Sequence, residues 1–323
     1  MLSEFDLIKQ YFQRARPGHA STLLGIGDDC ALLQPAPGKQ LAISSDMLVE
    51  GRHFFAGADA RMLGHKCLAV NLSDLAAMGA TPVAFTLALA LPEANRDWLA
   101  GFSNGLFALA DAHGCDLIGG DTTKGPLTIC ITIFGTLAPG QALRRAAAQA
   151  GDDVWVSGTL GDARLALASY WNEERLTPDQ LDRAAPRMHM PTPRVALGRL
   201  LAERGLAHAA LDISDGLIGD LGHILAASHV GATIDADALP AGPVLATQAQ
   251  ALRRRFTVAG GDDYELCFTA APHQRGAIAA AALACATPVT RVGTIDALPG
   301  LRWVDAHGAP LALGLRGWDH FTA

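Results

Sequence analysis

Aspartate recurs along this chain in one setting, an apolar run followed by a small-residue turn. The positions are Asp28 and Asp29 in GIGDDCAL, Asp46 in ISSD, Asp121 in IGGDTTKG, Asp212 and Asp215 in LDISDGL, and Asp262 and Asp263 in AGGDDYEL. A short carboxylate in a turn offers hard oxygen to Mg²⁺, and glycine beside it lets backbone amides approach phosphate oxygens. Any one of these residues is equally accounted for as a helix cap or turn closer. As a set they carry more weight, because a cap needs no partner elsewhere whereas a multi-metal phosphate site needs carboxylates from several loops. Asp74 differs, sitting inside the apolar stretch RMLGHKCLAVNLSDLAAM (61–78), where an unpaired carboxylate would be costly. A metal would offset that cost; so would a hydrogen-bond network through Asn71, one helical turn earlier.

Other routes to phosphate or hydrolytic chemistry are missing from the sequence. There is no GxxxxGK[ST] loop, and GIGDD at 25–29 lacks the third glycine of a dinucleotide fingerprint. Neither HExxH, GxSxG nor a cysteine-rich zinc spacing occurs, which disfavours a zinc hydrolase. An Asp-rich phosphoryl-transfer enzyme using several Mg²⁺ ions is the chemistry that remains.

Composition agrees. Of 32 acidic residues 25 are Asp and 7 are Glu, a bias toward turns and cation sites over helix surfaces. The net charge of -7 and the lack of a Lys/Arg stripe argue against a nucleic-acid partner. Apolar runs break before the roughly 18–20 residues that span a bilayer, so no membrane partner is expected. MLSEFDLIKQYFQRARPGH (1–19) reads as a short amphipathic helix, without the features of a secretory signal. The six cysteines show no CxxC pair and read as reduced core residues of a cytoplasmic protein.

The elements that must position these aspartates alternate in α/β (α+β) fashion, and 323 residues suit two domains. Strands are expected at 41–45, 82–91, 115–120 and 127–137, with helices over 61–78 and about 95–113. The weakly patterned segment 138–152 marks the boundary, giving an N-terminal domain over 1–140 and a C-terminal one over 150–323. In the second half, strands are expected at DVWVSG, HAALDIS (208–214), ATIDA, FTVAG, YELCFTA and PVTRVGTI. Helices are expected near 162–172, 193–204, 216–228, 243–252 and 273–284.

Taken in order, EFDLI, GIGDDCAL, ISSDMLVEGRHF, NLSDLAAMGA, LIGGDTTKGP, DISDGL, GGDDYELCF and GWDHF (317–321) resemble the thiamine-monophosphate kinase family. That family lies in the superfamily of aminoimidazole-ribonucleotide synthetase and selenophosphate synthetase, and the likeness runs nearly the whole chain. It implies transfer of the γ-phosphoryl of ATP to thiamine monophosphate, yielding thiamine diphosphate and ADP. It also implies a two-domain aminoimidazole-ribonucleotide-synthetase-like fold, whose N-terminal ATP- and metal-binding domain has a mixed sheet pairing across a dimer axis. The C-terminal domain would complete the substrate site, and a homodimer is expected.

By the same resemblance the metal ligands would be Asp29, Ser44, Ser45, Asp46, Asp74, Asp121 and Asp212, with Asp215 on a further ion and Asp28 assisting. ATP contacts would come from Gly120, Asp121, Arg145 and Ser214, and acceptor contacts from His53, Asp262 and Trp318. An indole face suits the cationic thiazolium of thiamine, though Trp318 also reads as an aromatic closing the domain core. His53 and Arg145 stand out only through the motif. No general base is assigned, because the acceptor phosphate is already ionised at neutral pH. The family usually reads GGEDYEL; Asp262 keeps the charge on a side chain about 1.3–1.5 Å shorter. The family often places Tyr near the position of Ser103, where nothing is assigned here. Alternatives are a sister ATP-dependent synthetase, which GWDHF and GGDDYEL argue against, and a non-catalytic metal- or nucleotide-binding regulatory protein.

Overall fold

The computed structural model describes residues 3–14 and 18–318, with backbone alone at Phe5. The chain divides into two compact units, Met1–Leu75 with Ala80–Gly140, and Ala76–Gly79 with Gln141–Ala323. No helix among the described residues is long and apolar enough to cross a membrane.

In chain order the first unit contains α1 (Glu4–Leu7), which runs on as a π-turn over Ile8–Phe12, then β1 (Thr22–Leu24), β2 (Leu32–Leu33) and β3 (Gln40–Val49). These are followed by α2 (Ala60–Met78), β4 (Thr81–Leu91), α3 (Arg96–Ala112), β5 (Asp116–Lys124) and β6 (Thr128–Leu137). The helix expected over 1–19 is thus shorter, and its residues 1, 2 and 15–17 lie outside the described ones. The main sheet runs β3-β6-β4-β5, with β4 and β5 parallel and the other pairs antiparallel, a mixed sheet as expected.

Two features set the position of α2. Gly64 and Gly105 let it cross α3 closely: a Cβ on Gly64 would lie 2.1 Å from the Phe102 carbonyl oxygen, and one on Gly105 1.8 Å from that of Arg61. At its other end Leu75 packs over Gly135 of β6, where a Cβ would sit 3.0 Å from the leucine methyls. Asn95 caps α3 by accepting from the amides of Asp97 and Trp98, an arrangement contributing about 1 kcal/mol.

The second unit contains β7 (Asp153–Ser157), α4 (Asp162–Tyr170), α5 (Pro178–His189), α6 (Val195–Glu203), β8 (Ala209–Ile213), α7 (Leu217–Ser228) and β9 (Gly231–Asp235). It continues with α8 (Gln250–Ala259), β10 (Glu265–Ala270), α9 (Arg275–Ala284), β11 (Val289–Asp296) and β12 (Gly300–Val304). Its sheet runs β12-β9-β11-β7-β10-β8, parallel only at β12–β9. The core packs Val154, Val156, Leu211, Ile213, Leu221, Ile224, Ile234 and Val258, all fully or almost fully buried. Each such side chain contributes about 1.5–3 kcal/mol through burial.

Several expectations change. FTVAG is not a strand but the end of α8, because burying Phe256, Thr257 and Val258 on the helix outweighs their β preference. The helix expected near 243–252 is accordingly a single 3₁₀ turn over Leu245–Thr247 followed by α8. Helix α5 was not anticipated, although Thr177 and Gln180 form a reciprocal capping box with Pro178 at its start. Strands β3 and β5 run further than 41–45 and 115–120, so Asp46 and Asp121 lie within strands rather than in the turns after them. Only Cys67, Cys115 and Cys267 are buried; Cys30 is exposed and Cys130 and Cys285 are intermediate, and all six are free thiols.

Candidate functional site

In the first unit, alternation along β3 separates chemistry from surface. Leu41, Ile43 and Met47 point outward and are exposed, whereas Ser44, Asp46 and Leu48 occupy the opposite face. There the Ser44 hydroxyl donates to the Asp74 carboxylate of α2. The Asn71 side-chain oxygen accepts the Asp46 amide at 3.3 Å while its nitrogen donates to the Cys67 carbonyl at 2.9 Å. Asn71 therefore anchors β3 to α2, and the hydroxyl on Asp74 comes from Ser44. Burial first, and then the charge of Asp74, pushes the Asp46 carboxyl up to about 7. Two carboxylates set together in a partly desolvated place favour a divalent cation, so this donor set fits Mg²⁺.

The other first-unit candidates are placed differently. Ser45 faces away from Asp74, its hydroxyl 3.0 Å from the Thr132 hydroxyl and donating to the Ile131 carbonyl at 3.2 Å. Asp29 is exposed, its amide donating to the Asp28 carboxylate at 2.9 Å. Asp121 is exposed on β5, opposite Ala88, and follows Gly120, whose φ of 147° and approach to the Leu87 carbonyl admit no side chain. Among the described residues no group of three or more His, Cys, Asp or Glu is arranged to hold a metal. The Asp46–Asp74 pair thus stands without a third carboxylate around one point. His53 follows β3 and accepts the Val49 amide on Nδ1 at 3.0 Å, which places its neutral-ring proton on Nε2 as a donor.

In the second unit the candidates converge on the turn between β8 and α7. Asp212 is almost fully buried on β8 opposite Leu266. Beyond it the Ser214 carbonyl accepts the Asp262 amide at 2.8 Å, and the Asp215 carbonyl accepts the Trp318 amide at 2.9 Å. The carbonyl of Arg145 accepts the Ser228 hydroxyl at 2.7 Å on α7, and its guanidinium acts electrostatically on Asp220 in that helix's first turn. Arg145, Ser214, Asp215, Asp262 and Trp318 are therefore gathered here. Trp318 is 48% exposed, so it does not close the core; the rest of GWDHF, residues 319–321, lies outside the described residues.

The GGDDYEL segment reaches this turn in an unusual conformation. Asp262 and Tyr264 have φ of 71° and 50°, a left-handed backbone costing about 1–3 kcal/mol at each non-glycine residue. Aspartate tolerates that region better than longer side chains, a physical reason for the shorter acid at 262. The conformation is held from both sides. Tyr264 donates its amide to the Ile213 carbonyl at 2.8 Å, and the buried Asp263 carboxylate accepts the Gly161 amide at 2.9 Å. Next to it, fully buried Glu265 accepts from Arg187 at 2.8 Å, from Arg194 Nε at 2.6 Å and from the Ser157 hydroxyl at 2.6 Å. Burial pushes the Asp263 carboxyl well above its ordinary value, against the opposing pull of the Gly161 amide and the Arg187 charge.

Sequence reasoning missed Asp220, Arg187, Arg194 and Glu265. Asp220 had one signal, an acid at a buried first-turn position of an otherwise apolar helix; the arginines had none, because only the tertiary fold brings them to Glu265.

The chain as a whole is similar to known proteins. Residues 27–137 match the N-terminal domain of AIR synthase related proteins, and residues 149–304 match their C-terminal domain. A thiamine-monophosphate kinase of Salmonella typhimurium is 46% identical over 324 aligned residues, covering 99% of this chain and 98% of that protein. The crystal structure of thiamine-monophosphate kinase from Stenotrophomonas maltophilia is similar with a TM-score of 0.84 and 49% identity, covering 90% of this chain and 93% of that one. A second structure, AaThiL complexed with AMPPCP and TMP, gives a TM-score of 0.77 and 27% identity, with 89% of each chain covered.

Proposed function

The chain belongs to the thiamine-monophosphate kinases, within the AIR synthase related proteins, and from that premise we propose that it phosphorylates thiamine monophosphate with ATP. The γ-phosphorus–oxygen bond to ADP breaks as a bond forms to a phosphate oxygen of the acceptor, giving thiamine diphosphate. No proton need be removed, because that oxygen is already ionised. The observation that carries the reading is the turn after β8, where Ser214, Asp215, Asp262 and Trp318 meet from three separate stretches of chain.

Ser214, Arg145, Gly120 and Asp121 are the proposed nucleotide contacts. The exposed indole of Trp318 offers a face to the cationic thiazolium, Asp262 adds negative charge beside it, and His53 donates from Nε2. Mg²⁺ ions, when bound, neutralise two phosphate chains that otherwise repel. Their proposed ligands are Asp29, Ser44, Asp46, Asp74 and Asp121 in the first unit and Asp212 and Asp215 in the second. Ser45 contributes through its main chain, since its hydroxyl is engaged on the outer face. The N-terminal unit (1–140) thus carries most metal ligands and the C-terminal unit (150–323) most acceptor contacts. The outward row Leu41, Ile43 and Met47 on edge strand β3 supports a homodimer formed through this sheet. A cytoplasmic location is part of the same reading, since the proposed phosphoryl donor is ATP.

Coupled ADP release tests the proposal. It is expected with ATP, Mg²⁺ and thiamine monophosphate but not with thiamine itself; ADP release indifferent to the acceptor would overturn it.

A further inference from the structure

Asp220 is a nearly fully buried carboxylate in the first turn of α7 that no substrate or metal role claims. One of its oxygens, Oδ2, accepts both the Ser214 and the Asp215 amide, each at 3.0 Å. Those amides follow Asp212 and open the 213–216 turn, and Gly216 turns the chain into α7 with a φ of 101°. With the amides fixed inward on Asp220, the carbonyls of the same peptide units, those of Ile213 and Ser214, face outward and accept the Tyr264 and Asp262 amides of the GGDDYEL segment, each at 2.8 Å. One unit further on, the Asp215 carbonyl holds the Trp318 amide at 2.9 Å. Both segments approach closely, Gly261 too closely for any side chain. A Cβ on Gly261 would lie 2.5 Å from the Ser214 carbonyl oxygen, and one on Gly317 3.0 Å from the Gly219 Cα.

We propose that Asp220 is a positioning residue whose single oxygen sets the orientation of the 213–216 turn, and through it aligns Ser214 and Asp215 together with Asp262 and Trp318. This rests on the kinase reading for what those residues bind, but not for the alignment itself. Because both amides share one oxygen, Asp220→Asn can reproduce the contact through its carbonyl oxygen, whereas Asp220→Ala cannot.

The test combines amide hydrogen exchange with steady-state kinetics on the full-length chain. In Asp220→Ala, exchange is expected to accelerate in peptides covering 213–216, 262–264 and 318 while β9 and β11 keep wild-type protection. The kcat/KM for both ATP and thiamine monophosphate should fall by at least about tenfold, with both KM values raised, and Asp220→Asn should recover most of it. If the alanine variant does not fold, Asp220→Ser replaces it in the comparison. Wild-type protection at 262–264 and 318 in the alanine or serine variant would overturn the proposal. So would an asparagine variant as impaired as the alanine one at unchanged thermal stability. Should the wild type fail to turn over thiamine monophosphate, the exchange result still decides the positioning role, so the two failures are distinguishable.

Discussion

Asp46 and Asp74 share a face with Ser44, and the repulsion between the two carboxylates is the feature a divalent ion would relieve. Asp46→Asn and Asp74→Asn are each expected to lower kcat by at least about 100-fold with the fold intact by circular dichroism. Near-normal turnover in both would remove the metal role. Trp318→Ala should raise KM for thiamine monophosphate by about fivefold to thirtyfold and leave that for ATP little changed, as loss of an indole–cation contact of about 1–2 kcal/mol implies. Asp263 gives a pH signature. Its folded pKa is raised above the ordinary 3.8, so the native state holds the proton more tightly and this stability is full below that value. It is lost as pH rises toward the folded pKa; Asp263→Asn, which keeps an acceptor for Gly161, should therefore lose less thermal stability than wild type as pH rises above about 4. At this scale the repeated motifs pick out the aspartates proposed here as ligands, but not their partners. Asn71, weighed against a metal as the support of Asp74, also holds the Asp46 amide of β3, because a helix face shows which residues are neighbours and not which strand lies across from them.

Elements explain why the loop bearing Asp262 can hold two left-handed residues. Glu265 at the start of β10 ties α5 and the residue preceding α6 to the loop through Arg187 and Arg194. Glu265→Ala leaves two guanidinium groups without their buried partner and should destabilise the protein by about 3–5 kcal/mol, read from urea denaturation. A loss under about 1 kcal/mol would show the cluster to be peripheral. Most elements were legible from period and punctuation, as with α3 and its end at Gly114. Failures occurred where local preference and tertiary burial disagree, as in α8, whose β-branched end is helical because it packs inward. Helix α5 went unrecognised despite its Thr177–Gln180 box, since its mostly polar surface carries few apolar residues to reveal a period.

For the whole molecule, the outward row on β3 is the feature that a single copy leaves unexplained. Ile43 and Met47 are 60% and 55% exposed on an edge strand, a placement that invites pairing with another sheet. Changing both to Glu is expected to convert a dimer to a monomer in sedimentation equilibrium, and a wild-type monomer would contradict the homodimer. The patternless stretch 138–152 contains the change of unit after Gly140, whereas nothing in one copy's sequence specifies a partner surface beyond apolar alternation. Direct phosphoryl transfer is the central claim, and the fate of the γ-phosphate tests it most directly. With γ-radiolabelled ATP, Mg²⁺ and thiamine monophosphate, the label should appear in thiamine diphosphate in step with ADP. Label released as orthophosphate, with none in the diphosphate, would contradict direct transfer and point to a synthetase-like use of ATP.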